Sequence, residues 1–231
     1  MIYITGDTHG LIENINRKGI GRVRRKDVLI ITGDFGFVWD NSEKELKARK
    51  RISRYRFPIL FVEGCHDNFD LLKEFPIVEK FGGPVRQIGK KVFQLLRGYV
   101  YDIGEQSVFA FGGGESDEKE IYKETGCWWQ EEEPTEEEAF AAVENLKARG
   151  CEVDVIVTHD CPTKMRDLLT GSDPSLTNMV LEYISEHTQF KVWYFGKYHV
   201  DRKLTANFYA VDRKVLLAEC SIPVKKRNKK K

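Results

Sequence analysis

Five short apolar, β-branched or aromatic runs in this chain each stop on a residue type that handles metal or phosphate. The junctions are Ile2–Thr5 into Gly6-Asp7-Thr8-His9-Gly10, 28–32 into Gly33-Asp34, and 59–63 into Gly64-Cys65-His66-Asp67. Two more follow, 153–158 into His159 and 192–195 into Gly196-Lys197-Tyr198-His199. Runs of this kind read as buried strands. In an open α/β sheet the loops leaving the carboxyl ends of strands gather along one crevice, so residues almost 200 positions apart can converge on one site. Four of the five histidines fall at these junctions and only His187 lies elsewhere, on the polar part of a helix, where a surface position is expected.

The runs between the junctions set the local order. Residues 11–20 predict a helix, and 42–54 a charged amphipathic helix opened by Asn41 or Ser42. The first half is therefore β-α-β-α-β, which favours parallel strands with right-handed crossovers. From 92 to 111 the spacing changes: 92–96, Tyr99–Ile103 and 107–111 are separated by Arg97-Gly98 and Gly104-Glu105, short turns that argue for antiparallel pairing. Thr135-Glu136-Glu137-Glu138 has capping-box spacing and opens a helix with Phe140, Val143 and Leu146 on one face. The glutamates 131–133 and 136–138 read as a solvated helix start more readily than as a calcium site. A helix is expected after Ser172-Asp173-Pro174, with Pro in its first turn, and residues 205–210 and 215–219 as a hairpin over 211–214.

At 231 residues the chain can bury one substantial core. Charged residues make up 32% and no apolar run is long enough to cross a bilayer, so no membrane partner is expected. No charged-then-apolar leader is seen. Five cysteines without a Cys-x-x-Cys pair read as reduced thiols of a cytoplasmic protein. Net charge is +1, but six lysines and arginines lie in 225–231, leaving −5 on residues 1–224. Such a tail is expected to be disordered, with weak attraction to nucleic acid as its one implied partner there. The body lacks the basic, aromatic-interleaved stripe of a dedicated nucleic-acid binder.

Asp7 and His9 place two ligand types on one turn, and Asp34, also behind a glycine, is positioned to bridge two ions. Mixed Asp and His donors suit borderline first-row metals, with manganese ahead of iron, zinc and nickel, while the absence of paired cysteines argues against a structural zinc cage. Gly112-Gly113-Gly114 with Ser116 reads as a phosphate-approaching or simply flexible loop, Trp128-Trp129 as a base-stacking or core-edge pair, and Arg202 as a phosphate fork or a partner of Asp201. Cys127, Cys151, Cys161 and Cys220 default to structural thiols.

With these blocks in place, the chain resembles the calcineurin-like metallophosphoesterases from Met1 to about Arg202. That family carries Asp-x-His, Gly-Asp, Gly-Asn-His-Asp/Glu, a lone His after a strand, and Gly-His-x-His. The resemblance implies an α/β fold of two mixed β-sheets packed as a sandwich flanked by helices, with a single metallophosphoesterase domain over 1–222 and a basic tail over 223–231. It implies that Asp7, His9, Asp34 and His199 hold one divalent ion, that Asp34 bridges to a second ion served by His159, and that His66, with Asp67 behind it, faces the scissile phosphate and the leaving oxygen. Metal-activated water would then cleave a phosphomonoester or phosphodiester, small molecule or nucleotide. Two residues depart from the family pattern: Cys65 stands for the Asn, and Lys197 for the first His of Gly-His-x-His. Both fall on the second metal, leaving one tight site and a weak one. Cys65 would be a soft ligand, and Lys197 would set an ammonium where a cation or phosphate oxygen belongs. The alternative is a catalytically impaired phosphoesterase-fold protein that binds a nucleotide or protein partner. The oligomeric state is left open.

Overall fold

A computed structural model describes residues 1–17 and 19–218. The basic tail expected over 223–231, and Cys220, lie outside the described residues.

The first half alternates as expected. Strand β1 (Ile2–Thr5) leads through a one-turn helix α1 (Ile12–Ile15) to β2 (Val28–Ile31), α2 (Glu43–Ile52) and β3 (Ile59–Phe61). Helix α3 (Phe69–Lys73) then precedes β4 (Ile77–Lys80), β5 (Gly83–Gly89) and β6 (Val92–Leu95). The second half runs β7 (Tyr99–Ile103), β8 (Gln106–Phe111), α4 (Lys119–Thr125), α5 (Glu136–Ala148) and β9 (Glu152–Thr158). It closes with α6 (Thr163–Asp167), α7 (Leu176–His187), β10 (Gln189–Phe195), β11 (Arg202–Lys203), β12 (Phe208–Ala210) and β13 (Leu216–Leu217).

Two mixed sheets result, in the orders β13-β1-β2-β3-β6-β5-β4 and β11-β12-β10-β9-β8-β7. Their centres, β1-β2-β3-β6 and β12-β10-β9-β8, are parallel, with antiparallel strands at the edges. Side-chain alternation builds the layers. Ile2, Ile4, Val28, Ile30 and Leu60 from the first sheet meet Val108, Val155, Val157, Val192 and Tyr194 from the second in the inner core. Their neighbours Tyr3, Leu29, Ile31 and Phe61 point outward under Ile12, Ile15, Ile52 and Leu72. On the far side Phe109, Ile156 and Trp193 lie under Ala142, Leu146, Leu181 and Ile184. Because both faces of the central strands are covered, their sequences are continuously apolar rather than alternating.

Several expectations need correction. The turn at Arg97-Gly98 does not make a hairpin: β6 pairs with β3 and β5 in the first sheet, whereas β7 pairs with β8 in the second, so the chain changes sheets there. Likewise β12 pairs parallel to β10 and β13 antiparallel to β1, so 205–219 is a crossing between sheets and not a hairpin. The helix expected over 11–20 stops after Ile15. Helix α7 is capped by Ser175, which forms a capping box with Asn178, so Pro174 precedes the cap and does not occupy the first turn. The Thr135 box is formed, but Ala142 and Leu146 are the buried pair of α5 and Phe140 is exposed. The parallel centre brings the carboxyl ends of β1, β2, β3, β8, β9 and β10 to one edge of the sandwich.

Candidate metal centre

At that edge the donor atoms form three overlapping groups, each within 4.8 Å of one another: Asp7, His9 and His199; His9, Asp34 and His66; and Asp34, Cys65 and His159. His9 links the first two groups and Asp34 the last two. Asp7 and Asp34 are buried, while His9 and His199 reach toward solvent. His199 Nδ1 lies 3.6 Å from Asp7 Oδ2, and His9 Nε2 lies 3.9 Å from Asp34 Oδ2.

The loops carrying these groups are held in costly backbone shapes. Of the seven non-glycine residues with positive φ among the described residues, four are here: His9, Asp34, Lys197 and His199. Such conformations persist where the surroundings over-determine them. Arg17 supplies part of that support, since its guanidinium donates to the carbonyls of Asp7, at 2.6 Å, and of Gly6, at 3.3 Å. Glycines give the rest room. A Cβ at Gly33 would strike the His159 ring, and one at Gly64 would strike the Asp34 carboxylate.

His159 is fully buried at the end of β9. Its Nδ1 lies 2.9 Å from the Thr32 carbonyl, which makes that nitrogen the donor. Nε2 is left with its lone pair, 3.5 Å from Asp34 Oδ1 and 3.5 Å from Cys65 Sγ. This is how a metal-binding imidazole is usually set. Burial also pushes the His159 and His9 rings below their usual range, keeping them neutral near pH 7. Asp34 is held well below the usual carboxylate range: burial opposes its charge, but His159 and His66 outweigh that. Asp7 goes the other way, raised by burial and by the Asp34 charge.

His66 leans on Asp34, with its Nδ1 2.9 Å from Oδ2 and its backbone N–H donating to Oδ1 at 2.8 Å. Although burial works against it, the Asp34 hydrogen bond raises the ring's pKa. Its Nε2 is buried without a partner. Asp67 does not back this ring. Its carboxylate accepts the backbone N–H groups of Gly64 at 2.9 Å, Gly36 at 2.9 Å and Phe35 at 3.2 Å, clamping two strand-end loops together. Burial and the Asp34 charge push Asp67 up to about 7 despite those donors.

Lys197 is drawn inward, its Nζ donating to the Glu115 carbonyl and lying 3.9 Å from Cys65 Sγ. Burial opposes its charge, yet the Asp160, Asp117 and Asp34 carboxylates nearby favour it, and the ammonium persists. Cys65 is pushed up by burial and by Asp34, and stays a thiol.

Three neighbours were not placed at this site by sequence. Glu132 is buried, with Oε2 accepting from the Ser116 N–H at 3.3 Å and Oε1 unpartnered, which corrects the reading of 131–133 as wholly solvated. Burial pushes it up to about 7, against the pull of the Ser116 and Trp129 N–H groups, His66 and Lys197. Tyr122 meets the His66 ring edge-on at 5.1 Å, and Trp39 lines the same cavity, about 450 Å³ in volume, that opens beside His9 and His66. Other sequence candidates fall outside the cluster. Asp201 caps the backbone N–H groups of Asp212, Arg213 and Lys214, and Arg202 is exposed. Lys119 and Lys123 lie over the Trp128 ring, Trp129 donates to Asp70, and Gly112 and Gly114 make room for Glu63 and Asp160.

The family model for calcineurin-like phosphoesterases matches residues 1–201. The chain belongs to the calcineurin-like phosphoesterases. The two-sheet α/β sandwich is consistent with that membership, which implies divalent metal ions and phosphoester substrates. No curated protein matches the chain in a sequence search. Among the described residues no helix is long and apolar enough to cross a membrane. Clustered aspartate carboxylates and imidazoles, among them the His159 ring with its Nε2 lone pair facing Asp34, fit the metal that a calcineurin-like phosphoesterase requires.

Proposed function

We propose that the protein hydrolyses a phosphomonoester or phosphodiester, acting as one metallophosphoesterase domain over residues 1–222. It would use one tightly held divalent ion, with manganese the first candidate ahead of iron, zinc and nickel. The observation that carries this reading is the donor cluster shared through His9 and Asp34. Asp7, His9, Asp34 and His199 would hold the ion. A divalent ion held there would supply charge neutralisation of a phosphoryl oxygen and a more acidic nearby water.

The second position is where this chain departs from its family. A protonated lysine has no lone pair to offer a metal, and a buried thiol is a poor ligand beside an ammonium. Lys197 therefore stands as a fixed cation at that position, neutralising a phosphoryl oxygen with one charge in place of two. Its partners, the Glu115 carbonyl and Cys65, orient the ammonium. His66 has Nδ1 engaged by Asp34 and Nε2 free, and the raised pKa of the ring favours its protonated form. It would give the Nε2 proton to the leaving oxygen. Asp67 positions both loops from behind, and the cavity beside His9, His66, Trp39 and Tyr122 would take the organic part of the substrate.

The test is turnover of aryl phosphomonoesters and phosphodiesters by protein loaded with manganese, beside Asp34→Asn. Activity that is lost in the variant supports hydrolysis. No turnover above buffer across both classes would replace this reading with that of a nucleotide- or protein-binding member of the family.

A further inference from the structure

The opposite edge of the first sheet carries a pocket of another character. It is about 650 Å³ in volume and is lined by Arg24, Arg25, Arg54, Arg56 and Lys91, with only Gly21 and Val23 between them. Its cations come from three separate segments: those leading into β2, β3 and β6, which are adjacent parallel strands. All four arginines are exposed at their rim. Among the described residues, Lys91 Nζ donates only to the carbonyls of Tyr55 and Arg56, at 3.2 and 3.0 Å. Among the described residues no carboxylate pairs with any of the five. The nearest acid in sequence, Asp27, is buried and occupied by the Met1 amino group and the Arg24 N–H. Five like charges around one concavity repel one another unless an anion sits among them. The concentration is the more notable because residues 1–224 carry −5 overall.

We propose that this pocket is a second anion site, for a compact run of phosphoryl groups, either inorganic polyphosphate or the phosphate tail of a nucleotide. Arginine forks match phosphoryl oxygens in pairs. Three segments converging on one concavity suit a short, dense anion. A nucleic-acid strand calls for a cationic stripe and rings on which bases stack, and the lining holds no ring. The site is separate from the metal-ligand edge, because β2 and β3 run from one edge to the other, at least about 10 Å at the usual rise per residue. It does not depend on the hydrolytic reading.

The experiment is a calorimetric titration of the full chain as purified, without added divalent metal, using inorganic tripolyphosphate, beside the double variant Arg24→Gln/Arg56→Gln. The double variant is expected to bind at least about tenfold more weakly, since each charge-assisted hydrogen bond carries a large share of such affinity. Aryl phosphoester turnover should be unchanged. Both positions are exposed, and a separate Lys91→Gln variant should weaken binding in the same direction. Adenosine triphosphate is expected to bind within about threefold of tripolyphosphate, because no ring is present to stack on the base. Absence of binding, or equal affinity in the variants, would overturn the proposal and assign any bound anion to the metal-ligand edge. Preference for a short duplex RNA over tripolyphosphate, abolished in the double variant, would overturn it in favour of a nucleic-acid surface.

Discussion

His66 shows how much of a residue's role is set by what its other atoms are doing. With Nδ1 committed to Asp34, only Nε2 can serve a substrate. His66→Ala is expected to lower turnover by about 10²–10⁴-fold for poor leaving groups, the usual worth of general acid catalysis. The loss should be smaller for good leaving groups, and metal content should stay unchanged. Steady-state rates across a leaving-group series check this, and a uniform loss would point to phosphate binding alone. Glu132 gives a second test at this scale. Its carboxyl is raised from 4.5 to about 7, chiefly by burial. The unfolded chain loses that proton near the ordinary value while the folded protein keeps it, so stability is fullest below 4.5 and falls as pH rises toward 7. Glu132→Gln in metal-free protein should therefore be more stable than wild type above pH 7, with the difference vanishing in acid; urea midpoints measured across pH decide it. Nothing in Glu131-Glu132-Glu133 says which glutamate turns inward, because a three-residue 3-10 turn has no apolar phase to read.

At the scale of elements, the strand-end loops act as a unit because Asp67 joins them. Asp67→Asn turns one acceptor oxygen into a donor facing backbone N–H groups, and should destabilise the fold by about 1–3 kcal/mol. Chemical denaturation measures this, and metal affinity should weaken with it because Asp34 and His66 sit in the clamped loops. The five junction strands were legible because burial on both faces makes each an unbroken apolar run ended by a glycine or ligand. Sheet membership was not. Arg97-Gly98 is as short as a hairpin turn, and only the β3–β6 pairing, a long-range contact, reveals that β6 and β7 belong to different sheets. Strand β4 escaped notice because it is a largely exposed edge strand without alternation. That these metal-binding residue types would gather at one edge was legible from their places at strand ends, two of the aspartates directly behind glycines. The cluster's supports, Arg17, Glu132 and Tyr122, were not, since no local periodicity ties Arg17 to the Gly6 and Asp7 carbonyls, Glu132 to Ser116 or Tyr122 to His66.

For the whole molecule, the sandwich gathers ligands from both halves of the chain onto one edge, and the departures at Cys65 and Lys197 meet in space, 3.9 Å apart. They should accordingly be changed together, because neighbouring groups are coupled and single substitutions need not add. Cys65→Asn/Lys197→His is expected to raise the metal retained through dialysis from about one ion per chain to two, the number a two-metal site holds. Elemental analysis reads this, and an unchanged content would mean that something else limits the second position. The most direct measurement is anomalous diffraction from crystals of the unmodified protein grown with manganese. The expected result is one strong peak among Asp7, His9, Asp34 and His199, with Lys197 Nζ remaining beside Cys65. A second strong peak between Asp34, Cys65 and His159, with the lysine displaced, would contradict the single-ion reading.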